Sequence, residues 1–412
     1  MQDHEGKTYY GIEYIYFSFL GFWQLLNGGL RKRNKVVLTS SSYMIIYFCF
    51  LSTVMYDITF NDYSFSTFTE KLSVNMKILE SVVKMGICFV NRDGLSILLG
   101  LFSTELLLSA RRFRKRSDPI LTKNAQFVNK GTKGFIYLIS ATALAWMSAP
   151  LVKCITAPEC GSMNIFPSWY PFDTGHFPIN FLIYLLEITL MLYGASLIYN
   201  VNCMFSALAL TATAQFDVLS GNLENLETDA VEISKTRAGT EESENCLTKQ
   251  IIMEALLKEC IIDHQTLLWY LHKMEDVYNK IFLFQMFMST QTICLVLVQL
   301  NYNLASGEEL SPTLAMKFIM YLLLSWSELF LYSWGGQIIQ NKSETVYWSL
   351  QKCGWNEGSQ KFKKHVCIAL TRSYHPFGLS AGKFGLVNLT TFTQVIRASY
   401  SLFTFLHGSQ KN

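Results

Sequence analysis

The chain has 412 residues, half of them hydrophobic and only 16% charged, against the roughly 25% charged residues of ordinary soluble proteins. A net charge of +3 is too small, and the basic residues too locally clustered, for a nucleic-acid binder. The balance points to an integral membrane protein.

The first apolar stretch, residues 9–26 (YYGIEYIYFSFLGFWQLL), is crowded with aromatics, carries Glu13 and runs into the basic RKRNK. It reads as an interfacial helix, without the basic leader or small-residue cleavage site of a signal peptide. Seven segments meet the length and apolarity of spanning helices: 36–60, 72–91, 134–155, 177–206, 280–301, 313–339 and 386–407. Residues 95–109 (LSILLGLFSTELLLS) are too short to cross, hold Glu105 and end in ARRFRKR, so they are expected along the membrane surface.

Charge placement orients the spans independently. Arg31, Lys32, Arg33 and Lys35, then Arg111, Arg112, Arg114, Lys115 and Arg116, then Lys361, Lys363, Lys364 and Arg372 occupy alternate connections, whereas the connections between them hold no lysine or arginine. Basic connections belong in the cytoplasm, which places the N-terminus inside and the C-terminus outside. Residues 207–279 mix an acidic, polar middle (LETDAVEISKTRAGTEESEN), expected as a flexible loop, with apolar residues at helical spacing that run unbroken into the fifth span. The expected fold is therefore an all-α integral membrane protein of seven spans with long cytoplasmic helical extensions. It divides into 1–35 (interfacial helix and basic flank), 36–206 (spans one to four), 207–279 (cytoplasmic loop and extensions) and 280–412 (spans five to seven).

Signals for chemistry are weak. GLSAGKFG at 378–385 superficially resembles a phosphate loop, but its spacing is one residue short and Phe384 stands where a metal-binding hydroxyl belongs. Cys353, His365, Cys367 and His375 lack zinc-ligand spacing and read as scattered surface residues. His264 stands alone on an amphipathic helix, where an orienting hydrogen bond is expected. Cys49, Cys88, Cys203 and Cys294 lie in apolar stretches, where a thiol behaves as a small hydrophobe. Cys154 and Cys160 flank a Pro-containing loop, and either pair there, if the loop is extracellular, or remain free thiols. No metal, no cofactor and no enzymatic activity are expected.

In the last span, Thr390, Gln394, Arg397, Ser401, then Thr404 or Phe405, and Gly408 recur at steps of three and four and form one stripe, with Leu389, Phe392, Ile396 and Phe403 opposite. Arginine near a bilayer centre costs about 2.5 to 3.5 kcal/mol even on a lenient scale. Spacing alone leaves two readings: a pore wall, or a packing face on which Arg397 meets a buried carboxylate.

SWYPFD (168–173), HQTLL (264–268), FLYSWGG (330–336), WNEGSQKFKK (355–364) and VIRASYSLFTFL (395–406) occur in the order and at the distances found in insect odorant receptors, which the chain resembles over nearly its whole length. Two departures are Leu402, where a second aromatic is usual, and Ser333, where a cysteine is usual. The gustatory-receptor ending is missing and the second cytoplasmic loop is shorter than in the odorant co-receptor, so the resemblance is to a ligand-tuned subunit.

That resemblance implies a ligand-gated, non-selective cation channel of the plasma membrane of olfactory sensory neurons, a heterotetramer with the odorant receptor co-receptor whose last helices surround the pore. Gln394, Arg397, Ser401, Thr404 and Phe405 would line it, with Arg397 turning aside to a carboxylate such as Glu328. The ligand pocket would lie among the outer halves of spans two, three, four and six. Helical phase then selects Asn75, Met76, Leu79, Val83, Thr142, Trp146, Phe181, Tyr184, Phe318 and Tyr321 or Leu322. Such a lining suits a small neutral volatile, with Glu80 neutralising Lys77 or Lys84. The alternatives are a secondary transporter, favoured by intramembrane Glu80, Lys84, Glu187 and Glu328 but lacking an internal repeat, and a seven-helix receptor signalling through G proteins, which needs an external N-terminus.

Overall fold

The computed structural model describes residues 30–61, 63, 65–102, 107–156, 164–166, 168, 170, 172, 176, 178–238, 246–305 and 312–409. The predicted interfacial helix at 9–26 lies outside them. Among the described residues are α1 (Leu30–Phe60), α2 (Phe65–Val90), α3 (Arg92–Phe102), α4 (Leu108–Arg112), α5 (Arg114–Thr156), α6 (Ile179–Glu224), α7 (Leu226–Ala238), α8 (Cys246–Ala305), α9 (Pro312–Gln351), α10 (Gln360–Ser373) and α11 (Leu389–Ser409), with a short hairpin of β1 (Ser380–Ala381) and β2 (Gly385–Leu386) before α11.

The seven predicted spans fall on α1, α2, α5, α6, α8, α9 and α11. Segments of α5, α6, α8 and α9 are long and apolar enough to cross a membrane, and α1 carries a shorter apolar run at Ile45–Phe60. The chain is an all-α membrane protein. Cys246–Ala305 contains neither proline nor glycine, so nothing interrupts the helix that the sequence pattern predicts into the fifth span. At 1.5 Å per residue α8 is about 90 Å long, roughly three times the hydrocarbon thickness, and its first half must project beyond the spans.

That projection organises a bundle. Leu95, Leu208, Phe216, Leu257, Leu271, Ile339, Leu350 and Phe362 belong to one buried apolar cluster drawn from α3, α6, α8, α9 and α10. Two expectations change here. The described part of 95–109 does not lie free along a membrane surface: Leu95, Leu98 and Leu107 are fully buried in this cluster, and Asp263 of α8 accepts from the backbone N–H groups of Leu108 (2.8 Å) and Ser109 (2.9 Å) at the start of α4. Glu105 lies outside the described residues. The acidic stretch from 226 is helix through Ala238 rather than flexible loop. Its Leu226 and Ala230 are buried, and Asp229 accepts two hydrogen bonds from the Arg116 guanidinium (2.7 and 2.9 Å), a forked geometry that fixes orientation.

Cys353 and His264 also depart from expectation. Cys353 is buried in the core rather than on the surface, and no three metal-binding side chains converge among the described residues. His264 lines a cavity of about 340 Å³ with His365 and Arg372, and the described hydrogen bonds include none at its ring. Burial, with the Arg372 charge adding to it, pushes its imidazole down to about 4. Cys154 is disulfide-bonded, with its partner outside the described residues. Gly378–Gly385 folds as the hairpin, turned by Gly382 (φ +57°) and Lys383 (φ +65°). The Gly382 N–H donates to the Asn279 carbonyl of α8 (2.9 Å), which seats the hairpin and aims α11.

Candidate functional site

A cavity of about 110 Å³ opens among the spans. Val74, Lys77, Ile78 and Ser81 of α2 form one wall, at the i, i+3, i+4, i+7 spacing of a single helix face. Ile139, Thr142, Ala143 and Trp146 of α5 face Met191, Gly194, Ala195 and Ile198 of α6, while α9 adds Tyr321 and Leu324, α1 adds Tyr47, and the loop after α5 adds Phe166. The lining is mostly apolar. Gly194 leaves the space that Tyr47 fills, since a Cβ there would sit 2.2 Å from the tyrosine oxygen. Trp146 meets Tyr321 edge to face, with centroids 5.9 Å apart, and the Lys317 ammonium lies 4.7 Å above the Trp146 ring.

Beside the cavity lies a buried ionic quartet. The Lys77 ammonium donates to Glu80 at 2.8 Å and to Glu328 at 2.9 Å. Lys84 lies 2.6 Å from the Glu80 carboxylate and 3.8 Å from that of Glu328. Two ammonium and two carboxylate groups cancel, the arrangement that a membrane interior tolerates. Gln285 of α8 donates to Glu328 (3.2 Å), and the Tyr332 hydroxyl of α9 donates to Asn202 of α6, so the polar network ties α2, α6, α8 and α9 together.

A second buried carboxylate holds the loop. Glu187 of α6 accepts from the backbone N–H groups of Ile165 (2.6 Å) and Phe166 (3.3 Å) and from the hydroxyls of Ser168 and Tyr170 (3.0 Å each). Burial, and then the charge of Glu187 beside it, pushes the Tyr170 phenol above its ordinary value. The loop bearing Phe166 thus covers one side of the cavity.

The last helix packs on α8 and α9 through Val395 and Ser399, both buried. Asn388 caps it by accepting from the Thr391 N–H (3.0 Å). Its other face is open: Thr390, Gln394, Arg397, Ser401, Thr404, Phe405 and Gly408 are all exposed. The motif glycines of α9 permit the close packing on the inner side. A Cβ on Gly335 would lie 2.6 Å from the Phe205 ring, and one on Gly336 would lie 2.0 Å from the Val387 carbonyl.

A family profile described as 7tm Odorant receptor matches residues 64–400. The chain belongs to the insect odorant receptor family. Odorant receptor 2a of Drosophila melanogaster is 25% identical over 59% of this chain and 59% of its own length, and Odorant receptor 82a of the same fly is 22% identical over 85% and 86%. The first of these matches thus spans little more than half of the relative. The olfactory receptor OR5 from Machilis hrabei, solved in complex with eugenol, shares the fold with a TM-score of 0.75 at 16% identity, covering 98% of this chain and 100% of that one.

The helices that enclose the cavity in this odorant receptor include spans two, three, four and six, where the pocket was expected, but several side chains differ. Thr142, Trp146 and Tyr321 line it; Asn75, Met76, Leu79, Val83, Phe181, Tyr184, Phe318 and Leu322 do not. Asn75 is buried with neither amide atom hydrogen-bonded, and Met76, Leu79 and Val83 are half-buried on the side of α2 away from the lining residues. The α2 phase is turned because Lys77 and Ser81 look too polar for an apolar pocket, whereas Glu80 and Glu328 compensate the charge. On α6 the cavity lies deeper than Phe181, which is 45% exposed, and Tyr184, whose hydroxyl donates to the Met147 carbonyl (2.9 Å). Phe318 and Leu322 pack with Val296 instead. Tyr47 and Phe166 were not anticipated, although Gly194 in the middle of an apolar span signals a close neighbour. The expected pairing of Arg397 with Glu328 is overturned: Lys77 and Lys84 occupy that carboxylate, and Arg397 is exposed with no acidic partner among the described residues.

Proposed function

We propose that this odorant receptor is the odorant-binding subunit of a ligand-gated, non-selective cation channel, acting in a heterotetramer with the odorant receptor co-receptor in the plasma membrane of olfactory sensory neurons. In this reading α1, α2, α5, α6, α8, α9 and α11 cross the membrane. The basic connections and the bundle on the first half of α8 lie in the cytoplasm, and the C-terminus lies outside. The observation that carries it is the mostly apolar cavity among the helices, whose α9 wall also packs against a last helix with an uncovered polar face. A polar helix face within a membrane needs water or a partner, and one such face per subunit around an axis supplies both.

The ligand would be a small neutral volatile, held by Thr142, Trp146 and Tyr321 among the lining residues. Eugenol, bound in the Machilis receptor, is a molecule of that kind. Gln394, Arg397, Ser401, Thr404 and Phe405 would face the conduction path, where the Phe405 ring, 71% exposed, would form a hydrophobic constriction. Ligand binding shifts the channel only if the cavity differs between closed and open states. The route is short: Lys77 touches Glu328 on α9, and two residues on, Phe330 meets Phe392 of α11 at 5.9 Å. Whole-cell currents with the co-receptor, against a panel of volatiles and with single cysteines at 394, 397, 401, 404 and 405, test the proposal. Odour-evoked currents blocked by aqueous thiol reagents are expected; cysteines inert in resting and activated channels overturn the pore assignment.

A further inference from the structure

We propose that Lys77 is the hydrogen-bond donor that recognises the odorant, and that it selects volatiles bearing an acceptor oxygen (ester, ketone, aldehyde or ether) over hydrocarbons of the same shape. The inference deepens the odorant reading of the cavity and rests on it.

The polar groups of the lining can be followed one by one. Ser81 donates its hydroxyl proton to the Lys77 carbonyl (2.9 Å), Thr142 to the Leu138 carbonyl (2.8 Å) and Tyr321 to the Ser73 carbonyl (2.8 Å). The Tyr47 hydroxyl is hydrogen-bonded with Ser81. An ammonium group carries three N–H donors. Two of those on Lys77 are engaged by Glu80 and Glu328, and the third has no partner among the described residues. Lys77 itself lines the cavity, with its side chain 12% exposed. The space therefore offers one unengaged charged donor in an apolar surround, where such a hydrogen bond is stronger than in water.

The same quartet excludes charged ligands. Lys77 and Lys84 are balanced by Glu80 and Glu328, so the quartet itself holds no net positive charge to offset the desolvation of a carboxylate. An amine would meet the Lys77 ammonium as a like charge. A neutral acceptor completes the third position without disturbing the balance, while Val74, Ile78 and Ile198 accommodate its alkyl body. Because Glu328 sits on α9, an acceptor that draws Lys77 toward the cavity weakens a link between α2 and α9.

The test uses matched pairs, hexyl acetate with decane and 2-octanone with nonane, applied to cells expressing the receptor with the co-receptor. A hydrogen bond to a charged donor corresponds to a potency ratio of roughly 10- to 100-fold in favour of the oxygenated member. Lys77→Met alone leaves an unbalanced buried carboxylate, so Lys77→Met/Glu80→Gln, which keeps the quartet neutral, is the informative variant. In it the ratio is expected to fall to about one, with the hydrocarbon response as internal reference, whereas Lys77→Arg, which retains a donor, keeps the preference. A wild-type receptor indifferent to the oxygen, or a surface-expressed double variant with an unchanged ratio, overturns the proposal. The wild-type ratio needs no variant, so a double variant that fails to fold does not remove the test. Silence of the surface-expressed wild type to every volatile, oxygenated or not, is a separate result, which removes the odorant reading itself.

Discussion

The inner bundle and the cavity half of this odorant receptor are built on different physics. Around the first half of α8, one apolar cluster is continuous across eight helices, α2, α3, α4, α6, α7, α8, α9 and α10, and glycines let backbones approach to contact distance. Around the cavity the core breaks into smaller groups, one with Tyr47, Phe50 and Trp146, another with Phe135 and Tyr199, a third with Val296, Phe318 and Tyr321. Here helices are joined by charged hydrogen bonds. Close-packed apolar interfaces resist small displacements, whereas a hydrogen-bonded ion group has alternative partners within reach: Glu328 has Lys77, Lys84 and Gln285. The apolar half resists displacement and the polar half suits rearrangement.

The strongest way to break this contrast is to unbalance the quartet. Glu328→Leu leaves two buried ammonium groups facing one carboxylate and is expected to cost about 3 to 5 kcal/mol, seen as lost surface expression and a lowered unfolding temperature in detergent. Lys84→Met added to it restores neutrality and most of the stability. Equal stability of the single variant and the wild type would remove the quartet from the account. In the inner half, Gly336→Ala puts a methyl against the Val387 carbonyl and is expected to cost about 1 to 3 kcal/mol, whereas Gly131→Ala on α5, with open space around it, should stabilise by up to about 1 kcal/mol. Thermal unfolding of the two variants side by side measures the difference.

Much of this architecture was legible because it follows from length and period: the run of α8 without helix breakers and the helices on which the seven predicted segments fall. Side-chain direction was less so. The lining face of α2 lies nearly opposite the predicted one, because Lys77 fits an apolar lining only with the compensating Glu328, 251 residues away, and sequence spacing carries no information on such a pair. Likewise α7 reads as loop until Arg116, 113 residues earlier, supplies the partner of Asp229. Short-range rules place helices; which face is polar by design depends on contacts closed only by the fold.

His264 sharpens the contrast from the inner side. Its imidazole titrates at about 4 when folded against about 6.5 when unfolded, so between those values the unfolded chain binds a proton that the native one does not. Stability therefore rises with pH across this window and is lost as pH falls through it. At pH 5 the loss is about 2 kcal/mol. Wild type should lose stability relative to His264→Gln between pH 7 and pH 5, and a pH-independent difference would show that the ring is not held neutral.

The smallest expected effect concerns the loop over the cavity. Glu187 takes four hydrogen bonds and offers none. Glu187→Gln keeps one acceptor oxygen for the Ile165 and Phe166 N–H groups and turns the other position into a donor. The hydroxyls of Ser168 and Tyr170 can rotate to accept from it, so two contacts are reversed rather than lost, and the cost should be about 1 kcal/mol. Because Phe166 lines the cavity, that loosening should appear in ligand escape before it appears in folding. Currents should decay about fivefold faster on odorant washout, with surface expression unchanged. Glu187→Ala, which leaves the Ile165 and Phe166 N–H groups and the Tyr170 hydroxyl without this acceptor while Ser168 keeps the Phe166 carbonyl, should impair expression as well. If Gln and Ala variants are equally impaired in expression, the carboxylate serves folding alone, and the polar half of the receptor is as rigid at its outer edge as the inner bundle is throughout.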